Sequence, residues 1–434
     1  MLKLNFSELT TAYVRQVIHT RYFYNLTTTF LSQAVNAISV LCLTPVLIRN
    51  LGIRNFGVYG VILNIVIFST MFDLGLNTGL LRRLIHERRN DNVLINSLFF
   101  FFAGSFLVTL PIVACLHYTS ISSKEPGFFY YIVFASILFT QNILILFFDT
   151  IIQTANKIYI GKIVRMTKLA IEFVVLYWLS RYKTITYLLE ASLVLNILYV
   201  YVLYYLSKKE VHYIISWKSF KGSTLYDHVK YSFWYFQSAI ANVLVFNAQV
   251  IMISSVLGAA DVAKYLLVTR FFDIVRIGLT NFTQILFPSL ASMEANGKWL
   301  EIRRTFWKSF ISIVIVVMLS VPFLLTIGKQ IFVWWSKQND MDILRVYSLF
   351  SVFILLIVLD NVSSVFLAAL KLNKIQTLLS MVQGIIGLIF GYILMKNQGV
   401  TGVVIASIIA LLVTNFIFNP LFLLRNIQYK LNNV

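Results

Sequence analysis

The stretch FISIVIVVMLSVPFLLTIG, residues 310–328, decides the fold class because no side chain in it is charged. A helix needs about 20 apolar residues to cross roughly 30 Å of hydrocarbon, and this run has that length. A second run, VLINSLFFFFAGSFLVTLPIVACL at residues 93–116, has the same character. Both stretches are therefore predicted to be membrane-spanning helices.

The composition of the whole chain agrees with this prediction. Of its 434 residues, 59% are hydrophobic and only 12% are charged, and the mean hydropathy is +0.81. A water-soluble domain has roughly a quarter of its residues charged. Cys42 and Cys115 both lie in apolar segments without metal-ligand spacing, so no metal site or cofactor is predicted. We expect an all-α integral membrane protein.

Apolar blocks separated by charged or Pro/Gly breaks predict about twelve transmembrane helices. They lie at 26–48, 57–81, 93–117, 128–152, 163–180, 185–206, 230–256, 262–288, 306–327, 344–369, 375–395 and 400–424. One longer polar break divides them into two lobes of six helices. The expected domains are a lead-in (1–25), an N-terminal lobe (26–206), a linker (207–229), a C-terminal lobe (230–424) and a tail (425–434).

The net charge of +19 comes from Lys and Arg residues scattered over short loops. No basic domain or nucleic-acid motif is present, so we expect contacts with anionic membrane lipids and no nucleic acid. If both termini are cytoplasmic, the cytoplasmic loops carry more than twice as many Lys and Arg residues as the opposite side. The positive-inside rule therefore predicts a multi-pass protein with both termini in the cytoplasm.

The two halves repeat a pattern of polar residues at an offset of 206. Ser32 and Asn36, one helical turn apart, correspond to Ser238 and Asn242, and Gln249 follows two turns further on the same face. Such residues either hydrogen-bond neighbouring helices or line a hydrated cavity between repeats. Their equivalent placement in the first helix of each half favours the cavity, around which the two lobes would be arranged.

Helix eight contains VTRFFDIVRIG, residues 268–278, with three charges inside an apolar span. Arg270, Asp273 and Arg276 are spaced by three residues, so neighbouring members can pair, and Asp273 is expected to hold both arginines. Ionisable residues inside a membrane are functional candidates by default. The alternative is a static ion-pair ladder that joins helix eight to a neighbouring helix.

Four acidic residues in or near membrane helices are candidates for ion coupling. A bound H⁺ or Na⁺ could bias two access states. For Glu172 a coupling role and a structural role are equally supported, whereas pairing near the membrane interface is favoured for the other three. The four residues are Glu172, Asp73, Asp149 and Asp360.

Several motifs resemble the polysaccharide transporters. TPVLIRNLGIRNFGVYG (residues 44–60) resembles the end of their first helix, FDLGLNTGLLRRL (72–84) the end of their second, and YSFWYFQSAIANVLVFNAQVIMISSVLG (231–258) their seventh. These are O-antigen flippases of the Wzx type, within the multidrug/oligosaccharidyl-lipid/polysaccharide (MOP) exporter superfamily. Gln249 stands where relatives often carry an acidic residue, so the resemblance carries no ion-coupling role to that position.

The resemblance implies a flippase of the bacterial plasma membrane that moves an undecaprenyl-diphosphate-linked oligosaccharide to the outer leaflet by alternating access. It also implies a polysaccharide polymerase as a partner. A multidrug exporter and a peptidoglycan-precursor flippase are the alternatives within this fold. A membrane polymerase or glycosyltransferase is the enzymatic alternative, but the sequence contains neither a large outer loop nor an acidic active-site pattern.

Overall fold

The computed structural model describes residues 6–87, 91–116, 128–284 and 286–432, and within these ranges it contains helices and no strands. The predicted all-α fold is confirmed, and each predicted span coincides with helix. Seven of the described helices are long and apolar enough to cross a membrane, or eight if one bent pair is counted as a single span.

The N-terminal lobe contains the helices of the first half of the chain. Leu51 and Gly52 separate the first two predicted spans, because Gly52 has φ 80° and ψ 162°, a backbone conformation outside the α-helical region. Phe102, Phe147 and Tyr213 belong to the apolar core of this lobe. The helices are α1 (Phe6–Ile67), α2 (Ser69–Phe72), α3 (Leu76–Glu87), α4 (Asn92–Leu116), α5 (Phe128–Thr154), α6 (Ile158–Leu179) and α7 (Ile185–Val211).

The C-terminal lobe has a helix break at the position that corresponds to Gly52. Gly258, with φ 105°, forms the turn that corresponds to Gly52, so the repeated Leu-Gly pairs both mark helix breaks. Its helices are α8 (Gly222–Phe246), α9 (Ala248–Val256), α10 (Ala259–Gln284), α11 (Phe287–Ala295), α12 (Trp299–Phe323), α13 (Lys329–Ser336), α14 (Met341–Ala369), α15 (Asn373–Gln398), α16 (Val400–Leu411) and α17 (Ile417–Asn432).

Close contacts at small residues join the helices within and between the lobes. Gly384 lies against Leu244 and Gly391 against Met252, so α15 approaches the α8 and α9 pair closely. Between the lobes, Gly57 of α1 lies directly against the backbone carbonyl of Ala259 at the start of α10. The absence of a side chain at Gly57 sets the distance between the lobes here.

A methyl group at Gly57 should therefore destabilise the protein. A Cβ there would overlap the carbonyl oxygen of Ala259, whereas a Cβ at Gly104 of α4 meets nothing within 4 Å. We expect Gly57→Ala to lower the free energy of unfolding by about 1–3 kcal/mol relative to Gly104→Ala, the usual range for overpacking. Both substitutions raise the intrinsic helix propensity by the same amount. The difference between their melting temperatures in detergent therefore measures the overlap with the Ala259 carbonyl. Equal melting temperatures would contradict it.

Candidate functional site

A polar cavity of about 230 Å³ lies between the two lobes. Asn64 and Ile67 of α1 form the wall from the N-terminal lobe, and Phe350 of α14 lies on the opposite side. The charged wall comes from α10, and the amides come from the junction of α8 and α9. The polar residues that line the cavity are Asn64, Asn242, Asn247, Thr269, Arg270, Asp273 and Arg276.

The three charged residues of the eighth predicted span, Arg270, Asp273 and Arg276, lie on α10 and all line this cavity. Their pairing differs from the prediction. The Arg276 guanidinium donates to Oδ1 of Asp273 from both Nε (3.2 Å) and Nη2 (3.0 Å). It also lies over the Phe246 ring, 5.0 Å from the centroid. Arg270 makes no ion pair with Asp273. Side chains on a helix lean toward its N-terminus, so Arg276 leans back onto Asp273 while Arg270 leans away from it.

Arg270 is therefore left with a free guanidinium in the cavity wall. It is half-buried, and among the described residues no side chain forms a hydrogen bond or ion pair with it. A half-buried cation in a membrane protein requires an anion or water, because hydrocarbon alone does not solvate it. The arrangement suits an anionic ligand, since a guanidinium can bind phosphate or carboxylate through two parallel hydrogen bonds.

Asn64, opposite α10, has a second unpaired polar group. Its side chain is 5% exposed, and its Oδ1 has no hydrogen-bond partner among the described residues. A buried amide without a partner is costly, so an unfilled acceptor in a cavity wall points toward a ligand or water. Asn64 and Asn247 are not among the residues predicted from the sequence to line a cavity. An isolated Asn inside an apolar span is the signal that could have identified both.

The seventh predicted span, which α8 and α9 form, is broken where it meets the cavity. The axes of α8 and α9 differ in direction by 42°, and Asn247 lies at the junction with φ −120°. Gln249 is buried at 2% exposure, and its Nε2 donates to the carbonyl oxygens of Val245 (2.7 Å) and Leu244 (3.3 Å). Gln249 therefore satisfies carbonyls that the break leaves free, and it does not line the cavity.

The remaining polar candidates divide between the cavity and other surfaces. Asn242 lines the cavity, but its repeat partner Asn36 is half-buried outside the cavity wall. Ser32 is buried and Ser238 is exposed, and neither belongs to the lining. The shared helical face predicted for these residues thus extends beyond the cavity, because different neighbouring helices cover its two ends.

A larger apolar cavity of about 580 Å³ lies behind the polar one. Its walls include Phe68, Ala135 and Phe139 of the N-terminal lobe, and Ile251 and Ser255 of α9. The two cavities share segments of chain. Residues 64 and 67 face the polar cavity while 65 and 68 face the apolar one, and residues 247 and 250 likewise alternate with 248 and 251.

Two of the four predicted coupling acids are neutralised by lysines. Nζ of Lys168 is 2.7 Å from Oε2 of Glu172, one turn away on α6. Nζ of Lys162 is 3.9 Å from Oδ2 of Asp149, which also accepts a hydrogen bond from Gln153. Each carboxylate already has a lysine ammonium as its partner, which makes these two acids poor sites for reversible cation binding.

The other two acids have only neutral partners among the described residues. Asp73 accepts hydrogen bonds from the backbone N–H (3.2 Å) and the side-chain amide (2.6 Å) of Asn77. Asp360 of α14 accepts from Nδ2 of Asn419 (2.8 Å) and from the hydroxyl of Ser364 (3.3 Å). Oδ1 of the buried Asn419 has no hydrogen-bond partner. The environment of Asp360 is therefore polar, oxygen-rich and without a counter-cation.

Polar contacts join the lobes at both ends of the bundle. At the end predicted to be cytoplasmic, Nε2 of His228 on α8 lies 3.0 Å from the carbonyl oxygen of Leu76 on α3. Burial lowers the pKa of His228, while this hydrogen bond raises it in part. At the opposite end, Nε1 of Trp335 on α13 donates to the carbonyl oxygen of Leu41 on α1 at 2.9 Å. The lobes are thus in contact on both sides of the polar cavity.

Known structures with a similar fold are membrane transporters. The lipid II flippase MurJ, in an inward closed conformation, matches with a TM-score of 0.72 at 14% identity over 92% of this chain and 87% of that one. A multidrug resistance MATE family transporter of the MOP superfamily, in an inward-facing conformation, matches with a TM-score of 0.68 at 14% identity, covering 92% and 95% of the two chains. At this level of identity the likeness concerns the fold.

Sequence comparison identifies the family. A Salmonella typhi protein whose name proposes that it is an O-antigen transporter is 23% identical over 176 residues, which cover 40% of this chain and 41% of that relative. The chain is thus matched over less than half the length of that curated relative. The model of the family described as polysaccharide biosynthesis protein matches residues 23–294, more than half of the chain. The protein is therefore a multi-pass membrane protein that belongs to the polysaccharide biosynthesis protein family, and its fold is similar to that of transporters of the MOP superfamily.

Proposed function

We propose that the protein is a flippase for an undecaprenyl-diphosphate-linked oligosaccharide, which it moves from the cytoplasmic to the outer leaflet of the bacterial plasma membrane by alternating access. The observation that supports this proposal is the unpaired Arg270 guanidinium in a polar cavity between the lobes. The family and the transporter fold make the same function reasonable.

The diphosphate is the part of such a substrate that cannot cross hydrocarbon unassisted. Transferring an isolated charge into an apolar medium costs far more than thermal energy, so the headgroup requires a cationic or hydrated path. Arg270 offers that charge. Because Asp273 neutralises Arg276 and not Arg270, the cavity keeps a net positive charge.

The amides around Arg270 suit the sugar next to the diphosphate. Asn64, Asn242 and Asn247 supply both donors and acceptors, which hydroxyl groups require in pairs. A cavity of about 230 Å³ is smaller than the usual ligand pocket of roughly 300–1,000 Å³. The described conformation therefore corresponds to closed lobes, and substrate would enter after they separate.

The apolar cavity suits the hydrocarbon chain. It lies on the other face of the same segments of α1 and α9, so a lipid with its phosphates near Arg270 would direct its chain into these walls or past them into the bilayer. Burial of the hydrocarbon chain contributes about 25 cal/mol of binding free energy per Å² only when the chain comes from water. Because this chain comes from lipid, the apolar cavity would orient it and would add little affinity.

For ion coupling we propose Asp360, and next Asp73, rather than Glu172 or Asp149. A cation site needs oxygen ligands and no resident counter-cation. Beside the Asp360 carboxylate, Ser364 supplies a hydroxyl oxygen, and Asn419 has an amide oxygen without a hydrogen-bond partner among the described residues. The hydrogen-bond partners of Asp360 in the described part of the chain are neutral. Binding of H⁺ or Na⁺ would neutralise the carboxylate between α14 and α17, and could so favour one arrangement of the C-terminal lobe.

Removal of the free guanidinium should reduce headgroup binding. We expect Arg270→Ala to weaken binding of a polyprenyl diphosphate at least tenfold, since a hydrogen bond to a charged group contributes about 1.5–3 kcal/mol. Arg270→Lys should retain part of the affinity because it keeps the charge but loses the bidentate geometry. The measurement is binding to purified protein, with surface glycan in a deletion strain as the cellular readout.

Arg304→Ala is the matched control for this experiment. Arg304 is an exposed arginine of α12 and lies outside the cavity wall. The Arg304→Ala variant should leave both polyprenyl diphosphate binding and surface glycan unchanged. Full glycan export by Arg270→Ala at equal protein level would overturn the proposed role. An unchanged glycan with altered drug sensitivity would instead support the multidrug exporter.

Loss of the Asp360 charge should separate binding from coupling. In Asp360→Asn the new amide keeps an oxygen that can accept from Asn419 but cannot attract a cation. We expect liposome-reconstituted transport to lose its response to an imposed proton or sodium gradient, with headgroup affinity within about twofold of wild type. Asp342→Asn, an exposed acid in the first turn of the same helix, is the control. A full gradient response in Asp360→Asn would exclude this coupling site.

Filling the apolar cavity should affect long-chain substrates selectively. Ser255 is exposed and lines the cavity, whereas the adjacent Val256 is exposed but does not line it. Ser255→Trp should therefore slow flipping of the long-chain lipid several-fold and leave a short-chain analogue unaffected. Val256→Trp should slow neither. Equal slowing of both lipids by Ser255→Trp would refute a site for the chain.

A further inference from the structure

Pro45 leaves one carbonyl of α1 without its helical partner. In an α-helix the carbonyl of residue 41 accepts from the backbone N–H of residue 45, and proline has none. The carbonyl oxygen of Leu41 lies within an apolar span, where water is scarce and an unpaired polar group is costly. It therefore needs another donor.

That donor comes from the other lobe. Nε1 of Trp335, on α13, donates to the Leu41 oxygen at 2.9 Å across 294 positions of sequence. The indole is held in place by aromatic contacts within its own lobe, with ring centroids 6.1 Å from Phe332 and 5.6 Å from Phe271. The donor is thus positioned by the C-terminal lobe, and the acceptor is created by a proline in the N-terminal lobe.

We infer that Trp335, Leu41 and Pro45 form a latch that holds the lobes together at the end of the bundle predicted to be extracytoplasmic. The bond connects the outer half of the first predicted span, on α1, to α13, which follows the ninth predicted span. It must therefore break when the lobes separate at this end. When it breaks, the Leu41 carbonyl loses its partner, which opposes opening. The open state becomes accessible when water enters and hydrates that carbonyl.

The latch is also connected to the polar cavity. Phe271, which contacts the Trp335 ring, directly follows Arg270 on α10. Movement of Arg270 toward or away from an anion therefore displaces the residue against which the indole packs. This connection gives a ligand in the cavity a physical route to the closing contact.

The adjacent tryptophan provides a matched control. Trp334 is 71% exposed and lies under the Nζ of Lys337, 5.5 Å from its ring centroid. It has the same residue type as Trp335 and is adjacent to it on the same helix, but its side chain is exposed. Replacing either residue with Phe keeps an aromatic ring and removes one N–H donor.

The test measures distances between the lobes in full-length protein in lipid nanodiscs without substrate. Spin labels are placed at exposed residues after Cys42 and Cys115 are replaced by Ser. The latch end is reported by Lys183→Cys with Asn397→Cys, and the opposite end by Asn156→Cys with Asn373→Cys. Pulsed electron resonance gives the population of each distance.

We expect Trp335→Phe to raise the ratio of open to closed populations at the latch end about fivefold, which corresponds to about 1 kcal/mol, the usual value for one hydrogen bond. Trp334→Phe should leave this ratio unchanged. Pro45→Ala restores the N–H for Leu41 and should also raise the ratio. The double variant should rise no further than the larger single change, because each substitution alone removes the advantage that the bond between Trp335 and Leu41 gives to the closed state.

An unchanged ratio in Trp335→Phe, an equal rise in Trp334→Phe, or additive effects in the double variant would each overturn the latch. A general loss of folding would alter the distances at the opposite end too, and Pro45→Ala tests the latch without changing the tryptophan. The readout needs no substrate. The latch can therefore fail while the proposed flippase function stands, and the reverse also holds.

Discussion

The cost of a charge inside hydrocarbon is the constraint on which this structure depends. Each cation between the lobes needs a counter-charge, an aromatic ring or water, and the two arginines of α10 meet that need differently. Arg276 has Asp273 and the face of Phe246. Arg270 lines the cavity without an ion-pair partner among the described residues, and it is the group that we propose a phosphate neutralises. The same stretch of helix thus contains a structural ion pair and an unpaired cation.

A second constraint, the need to pair every backbone carbonyl in the membrane, explains several sequence irregularities together. The break in helix seven frees carbonyls that Gln249 satisfies from within the same segment. Pro45 frees a carbonyl that only the other lobe satisfies, through Trp335. The first case stabilises a bend within one lobe, whereas the second connects the two lobes, which would move relative to each other under the proposed alternating access. The difference lies in where the donor comes from.

Polar contacts at both ends of the bundle enclose the small cavity between them. His228 and Trp335 each reach a carbonyl of α3 or α1 from the C-terminal lobe, on opposite sides of Arg270. Under the proposed alternating access, one of these contacts would open while the other stays closed. Gly57, pressed against Ala259, keeps the lobes close enough for such short contacts to form.

The sequence by itself determined the membrane-helix fold, its two-lobe repeat and the membership of Arg270, Asp273 and Arg276 in one cluster, since hydropathy and helical spacing are local properties. The tertiary structure decided which charge is free: the lean of side chains toward the helix N-terminus gives Asp273 to Arg276. It also decided that Asn64 and Asn247 line the cavity while Ser32, Asn36 and Ser238 do not. Periodicity shows which residues share a face, but only the packing of the neighbouring helix determines whether that face meets protein, lipid or a cavity.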